Sequence, residues 1–105
     1  MKKPYITLSE QAAADILEQA EWYEVRADSK LAKRWEGAVT AALLRIAQSP
    51  HTGVPCSFKY EELRGTRRVA VTDFPKHLIF YQLREYEVLV LRVVHGARDL
   101  ESLFS

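Results

Sequence analysis

The first half of the chain repeats its apolar residues in threes and fours. In "SEQAAADILEQAEWYEVRAD" the residues Ala13, Ile16, Leu17, Ala20, Tyr23 and Ala27 recur at helical spacing, while Glu10, Asp15, Glu18, Glu21 and Glu24 fall mostly elsewhere. Ser9 is placed to cap the first turn, and the acid after it suits the positive end of the helix dipole. A second helix follows "RADSK". Asp28 or Ser29 caps it, and Leu31, Trp35, Ala38, Val39, Ala42 and Ile46 mark an inward stripe that ends at Pro50. So short a link between two amphipathic helices predicts an antiparallel hairpin, whose many alanines let the axes approach closely. The second helix carries more apolar surface than one partner needs, because Ala41, Leu44 and Ala47 lie on another side.

"PHTGVPCSF" is a connector without periodicity, and beyond it the period falls to two. "RRVAVT" alternates, "KHLIFYQL" and "VLVLRVVH" read as strands joined through "REYE", and "YITL" supplies a short strand at a sheet edge. These elements define an α+β fold, an N-terminal antiparallel helix hairpin packed on a twisted antiparallel β-sheet, in a single domain over residues 1–105. Both late strands are apolar on both faces. Strict alternation sets Leu78 and Phe80 against Ile79, Tyr81 and Leu83, and Val88, Val90 and Val94 against Leu89, Leu91 and Val93. A sheet covered on one side normally shows polar residues on the other. The hairpin covers one face, so the second face is left to the C-terminal tail, to a partner, or in part to solvent-exposed apolar groups.

Charge narrows the function classes. Fifteen Lys and Arg balance fourteen Asp and Glu, which leaves no global field for indiscriminate binding of polyanions. Residues 59–76 hold Lys59, Arg64, Arg67, Arg68 and Lys76 against Glu61, Glu62 and Asp73, a local excess of two positive charges. Cys56 is the single cysteine, so no internal disulfide forms. The start "MKKPYITLSEQ" lacks the apolar run of a secretory signal, and the chain has no stretch of bilayer-spanning length, so the cytoplasm is the expected location.

The chain is sparing with obvious chemistry. His51, His77 and His95 sit in a connector and on two strands, without cysteine or carboxylate at zinc-ligand spacing. "ELRGTRR" has one glycine and reads as a turn, not a phosphate loop, and no serine lies in a nucleophile elbow. His95 with Asp99 is a weak acid–base candidate. Arg64, Arg67, Arg68, Arg92 and Arg98 are the groups available to meet phosphate or carboxylate.

Taken in order, "AEWYE", "SPHTGVP", "ELRGTRRVAV", "FPKHLIFYQL" and "VLRVVHGARDL" closely resemble the ParE branch of the RelE/ParE toxin superfamily, over nearly the whole chain. The resemblance implies the toxin of a type II toxin–antitoxin module, without cofactor or metal, bound by a ParD-like antitoxin whose C-terminal segment wraps it. That partner would use the spare apolar surface as a helix in a groove plus an extended segment, with Trp22, Ala41, Leu44, Ala47 and Arg68 as its expected contacts. RelE-like members cleave messenger RNA on the ribosome with an arginine that aligns here with Leu78. ParE-like members poison DNA gyrase without an active site of their own. The resemblance therefore favours gyrase, met by Arg64, Arg67, Arg92 and Arg98. The alternative is a ribosome-dependent endoribonuclease using Arg64, Arg67 or Arg68 with His77 or His95. In either case Gly96 releases the last strand into a turn that Arg98 and Asp99 hold.

Overall fold

The structure, a computed structural model, describes residues 3–96. Strand β1 (Tyr5–Leu8) leads into helices α1 (Glu10–Arg26) and α2 (Ser29–Gln48). A two-residue strand β2 (Val54–Pro55), a 3-10 turn at Glu61–Leu63, and strands β3 (Arg67–Val71), β4 (Phe74–Arg84) and β5 (Glu87–His95) complete it. Both helix caps form where the residue pattern places them. The Ser9 hydroxyl accepts the Ala12 amide at 3.0 Å, and the Asp28 carboxylate accepts the Leu31 amide at 2.8 Å.

The strands form one sheet in the order β1-β5-β4-β3-β2. The helices carry the chain from one sheet edge to the other, and three antiparallel pairings bring it back to β1. Strand β1 then lies parallel to β5, with Thr7 opposite Leu89, so the sheet is mixed and not wholly antiparallel as expected.

The hairpin covers one face of the sheet. Ala12, Ala20, Trp35, Val39, Ala42 and Ile46 pack against Val71, Ile79, Tyr81, Val88, Val90 and Val93. Trp35 is fully buried; its Nε1 donates to the Ile16 carbonyl at 3.0 Å, and its ring meets Tyr23, Phe74 and His77. An indole whose N–H is paired contributes its full apolar area without an unmet donor.

Two details differ from the periodicity. On α1 the buried residues are Ala12 and Ala20, with Ile16 and Tyr23 packed beside them, whereas Ala13, Leu17 and Ala27 are exposed. The cause is Asp15, which is bound at the edge of β5 and rotates the helix toward that strand. On β5 the register shifts between Tyr81 opposite Val90 and Phe80 opposite Arg92, which leaves Leu91 as an extra residue. Such a bulge reverses the alternation beyond it. Val93 therefore joins Val88 and Val90 under the helices, and Val94 turns to the other face with Phe80 and Leu78.

The connector and the loop before β3 are held by buried side chains. The Tyr81 hydroxyl donates to the Pro50 carbonyl at 2.8 Å and accepts the Gly53 amide at 3.0 Å. Gln82, also buried, donates to the carbonyls of Glu62 and Arg64 at 2.8 and 3.2 Å and accepts two bonds from Arg84. Buried polar atoms with every bond made fix a loop in one conformation.

Candidate functional site

Helix α1 and the adjoining ends of β4 and β5 enclose an open groove of about 530 Å³. Strand β1 pairs with β5 only over Glu87–Val90, so beyond that point the backbone edge of β5 is served by α1 instead. Ser9 donates twice there, its amide to the Val90 carbonyl at 3.0 Å and its hydroxyl to the Leu91 carbonyl at 2.8 Å. Six residues on, the Asp15 carboxylate accepts the Val93 amide at 3.0 Å and grips the Arg92 guanidinium with two bonds of 2.8 Å. Those bonds hold Arg92 charged, with its pKa above the ordinary arginine value. The pair forms one wall of the groove.

The opposite end holds two imidazoles. His77 and His95 are direct partners across β4 and β5, their ring centroids 5.7 Å apart, and the His77 ring lies 4.8 Å from that of Trp35. Burial, and then the neighbouring His95, lower the pKa of His77, so its neutral form is favoured. Glu18, Trp22 and Tyr23 line the groove from α1, and Lys76 lines it from β4. A neutral imidazole facing a second one can exchange a proton or donate a lone pair to a cation. The eighteen-residue separation of the two histidines hid this pairing from the sequence; only the strand register reveals it.

The residues singled out from sequence fall into three groups. Trp22, Ala41, Leu44, Arg64 and Arg68 are exposed. Trp22 and Leu44 are large apolar side chains left 53% and 57% exposed, and the Arg26 guanidinium stacks 5.5 Å above the Trp22 ring. Ala47, Arg67 and Arg92 are committed internally. Ala47 is buried and so belongs to the core and not to the open side of α2. Arg67 donates to the carbonyls of His51 and Gly53 at 2.9 and 2.7 Å, where it ties the connector to β3. Arg98 and Asp99 lie outside the described residues.

Cys56 is half-buried beside Arg68; burial raises its thiol pKa, and the guanidinium partly offsets this. Among the described residues no three His, Cys, Asp or Glu side chains gather into a metal-binding group. None of the described helices is long and apolar enough to cross a membrane.

A helical hairpin on one face of a five-stranded mixed sheet, with an apolar cluster on the other face, defines the RelE/ParE-like toxin fold. The chain belongs to the family of ParE toxins of type II toxin–antitoxin systems, parDE, whose pattern it matches over residues 6–100. No curated protein matches it. Among solved structures it is similar to the chromosomal ParDE toxin–antitoxin system from P. aeruginosa, with a TM-score of 0.73 at 15% identity, over 89% of this chain and 96% of that one. It is also similar to the toxin–antitoxin complex RelBE2 from Mycobacterium tuberculosis (TM-score 0.61, 16% identity, 90% and 99% covered). A third likeness is YafQ from E. coli strain BL21(DE3) (TM-score 0.58, 16% identity, 98% and 100% covered). At these identities the three likenesses establish the shared fold.

Proposed function

We propose that this toxin poisons DNA gyrase by trapping cleaved DNA, and that a ParD-like antitoxin neutralises it. The observation that carries the choice of target is Leu78. It aligns with the phosphate-facing arginine of ribosome-dependent nucleases, yet here it packs with Phe80, Val94, Cys56 and Phe58 in an apolar cluster on the sheet face away from the helices. Removing one preorganised group that stabilises developing charge costs on the order of 3 kcal/mol of transition-state energy, and a leucine supplies none of it. Arg67 and Arg92, two other sources of such charge, are engaged by backbone carbonyls and by Asp15. A poison that acts by binding needs a complementary surface and no proton-transfer machinery.

For the antitoxin we assign the exposed Trp22 of α1, Ala41 and Leu44 of α2 and Arg68 of β3, spread over both sides of the sheet as contacts for a segment that wraps the chain and folds as it binds. Arg64, exposed at the end of the 3-10 turn, and Arg98 are the charges assigned to the target. The test is a supercoiling and cleavage assay with the purified chain, gyrase, relaxed plasmid and ATP. Linear, protein-linked DNA that disappears on adding antitoxin is the expected result. Normal supercoiling at high toxin excess, with messenger RNA fragments released from ribosomes by the same preparation, would overturn the choice of target.

A further inference from the structure

His77 and His95 close the β4–β5 ladder as opposed residues. The Gly96 amide donates to the Lys76 carbonyl at 2.6 Å, so residues 76 and 96 form a hydrogen-bonded pair and 77 and 95 the non-hydrogen-bonded pair beside it. In an antiparallel ladder those are the pairs whose side chains come closest. Both rings leave on the helix side, one packed against Trp35 and both lining the groove. The Leu91 bulge brings them together. Without the extra residue the register that pairs Tyr81 with Val90 would run on to set His77 opposite Val94, and His95 would face the other side of the sheet. Bulges are frequent where a strand must re-aim a side chain.

We infer that His77 and His95 form a two-ligand site for a divalent transition metal of the zinc, nickel and copper group, with its remaining coordination positions open to the groove. Imidazole suits these ions and not magnesium or calcium. Two imidazoles that share one ion at metal–nitrogen bonds of about 2.0–2.1 Å and a tetrahedral angle have centroids about 5 Å apart. The observed 5.7 Å is reached from there by a small ring rotation. Packing on Trp35 fixes the plane of the His77 ring, which lowers the ordering cost of chelation.

Glu18 and Tyr23 of α1 and Lys76 of β4 line the same groove, while Asp15 and Arg92 satisfy one another. With no third His, Cys, Asp or Glu gathered at the pair among the described residues, the shell is incomplete. Open positions characterise sites where an ion meets an exchangeable ligand, in contrast to closed structural centres. The ion would staple the end of β4 to that of β5, next to Trp22. This inference is independent of the gyrase reading.

Calorimetric titration of the full chain at pH 7.5 with zinc chloride, and separately with nickel chloride, tests it. One ion per chain is expected, with no competition from excess magnesium. His95→Gln is the main variant because His95 is exposed, and it should weaken binding by more than the roughly 10–100-fold typical of losing a residue that only orients a metal ligand. His77→Gln should do the same, and His51→Gln, in the connector, should change nothing. Copper(II) should quench the fluorescence of Trp35 in the parent chain and not in His95→Gln. Absence of binding, or unchanged affinity and quenching in the folded His95→Gln chain, would overturn the assignment.

Discussion

Asp15→Ala is the substitution that most directly probes how α1 is set on the sheet. The carboxylate accepts two bonds from Arg92 and one from the Val93 amide, and the Arg92 and Asp15 side chains are only 13% and 10% exposed. Alanine leaves a largely buried guanidinium without its hydrogen-bonded counter-charge, Glu18 being its remaining acidic neighbour, and a strand amide without an acceptor. Breaking a buried ion pair costs about 3–5 kcal/mol, and an orphaned amide about 1–3 kcal/mol. The residual exposure lets water recover part of both, so the expected loss is about 3 kcal/mol. Asp15→Asn keeps an oxygen for the Val93 amide and one neutral bond to Arg92, and should cost about half as much.

Urea unfolding followed by Trp35 fluorescence measures the loss. With a slope of about 1.5 kcal/mol per molar for a chain of this size, the Asp15→Ala midpoint falls by about 2 M. A double-mutant cycle with Arg92→Met isolates the pair and should give a coupling of about 2 kcal/mol. A loss below about 0.5 kcal/mol for Asp15→Ala, or a coupling indistinguishable from zero, would refute the view that this contact fixes the rotation of α1.

Four further outcomes follow from the same structure. Tyr81→Phe removes the hydroxyl that serves Pro50 and Gly53, and should destabilise the chain by about 2 kcal/mol in the same urea assay. Gly53→Ala, whose new Cβ would stand 2.3 Å from that hydroxyl, should do at least as much harm. The His77 pKa is lower folded than unfolded, so the unfolded chain binds more protons below its ordinary value of 6.5. Stability is therefore full above that pH and falls as the pH drops through 6.5 toward the folded pKa; His77→Gln should flatten the profile of urea midpoints between pH 5 and 8. Trp22→Ala and Leu44→Glu alter exposed side chains, so midpoints should move little while antitoxin affinity, read by calorimetry, weakens at least ~10-fold for each. Unchanged affinity in both would remove the hairpin surface from the antitoxin interface.

The hairpin was legible because its signals agree: a 3.6-residue period, a serine and an aspartate at the caps, and a proline beyond the end. The rotation of α1 was not. Alanines at positions 12, 13, 14 and 20 allow several apolar faces, and periodicity assigns an acid such as Asp15 to solvent by default. Its partner Arg92 is seventy-seven residues away, so the contact that chooses the face is tertiary. The direction of β1 was hidden for a related reason: "YITL" encodes a strand, but its parallel pairing is set by which edge the chain reaches after the helices and the meander.

The histidine pair shows why the candidate site was less legible than the fold. "VLVLRVV" is apolar at every position but one, so it contains no alternation from which the inserted Leu91 could be detected. Yet that one residue decides two placements: Val93 goes under the helices, and His95 swings to the side of His77. Arg92 was the available signal. A lone charge inside an apolar strand must find a counter-charge or water, and the acids of α1 were the nearest group able to supply one. Pairing Arg92 with Asp15 first would have fixed the helix rotation.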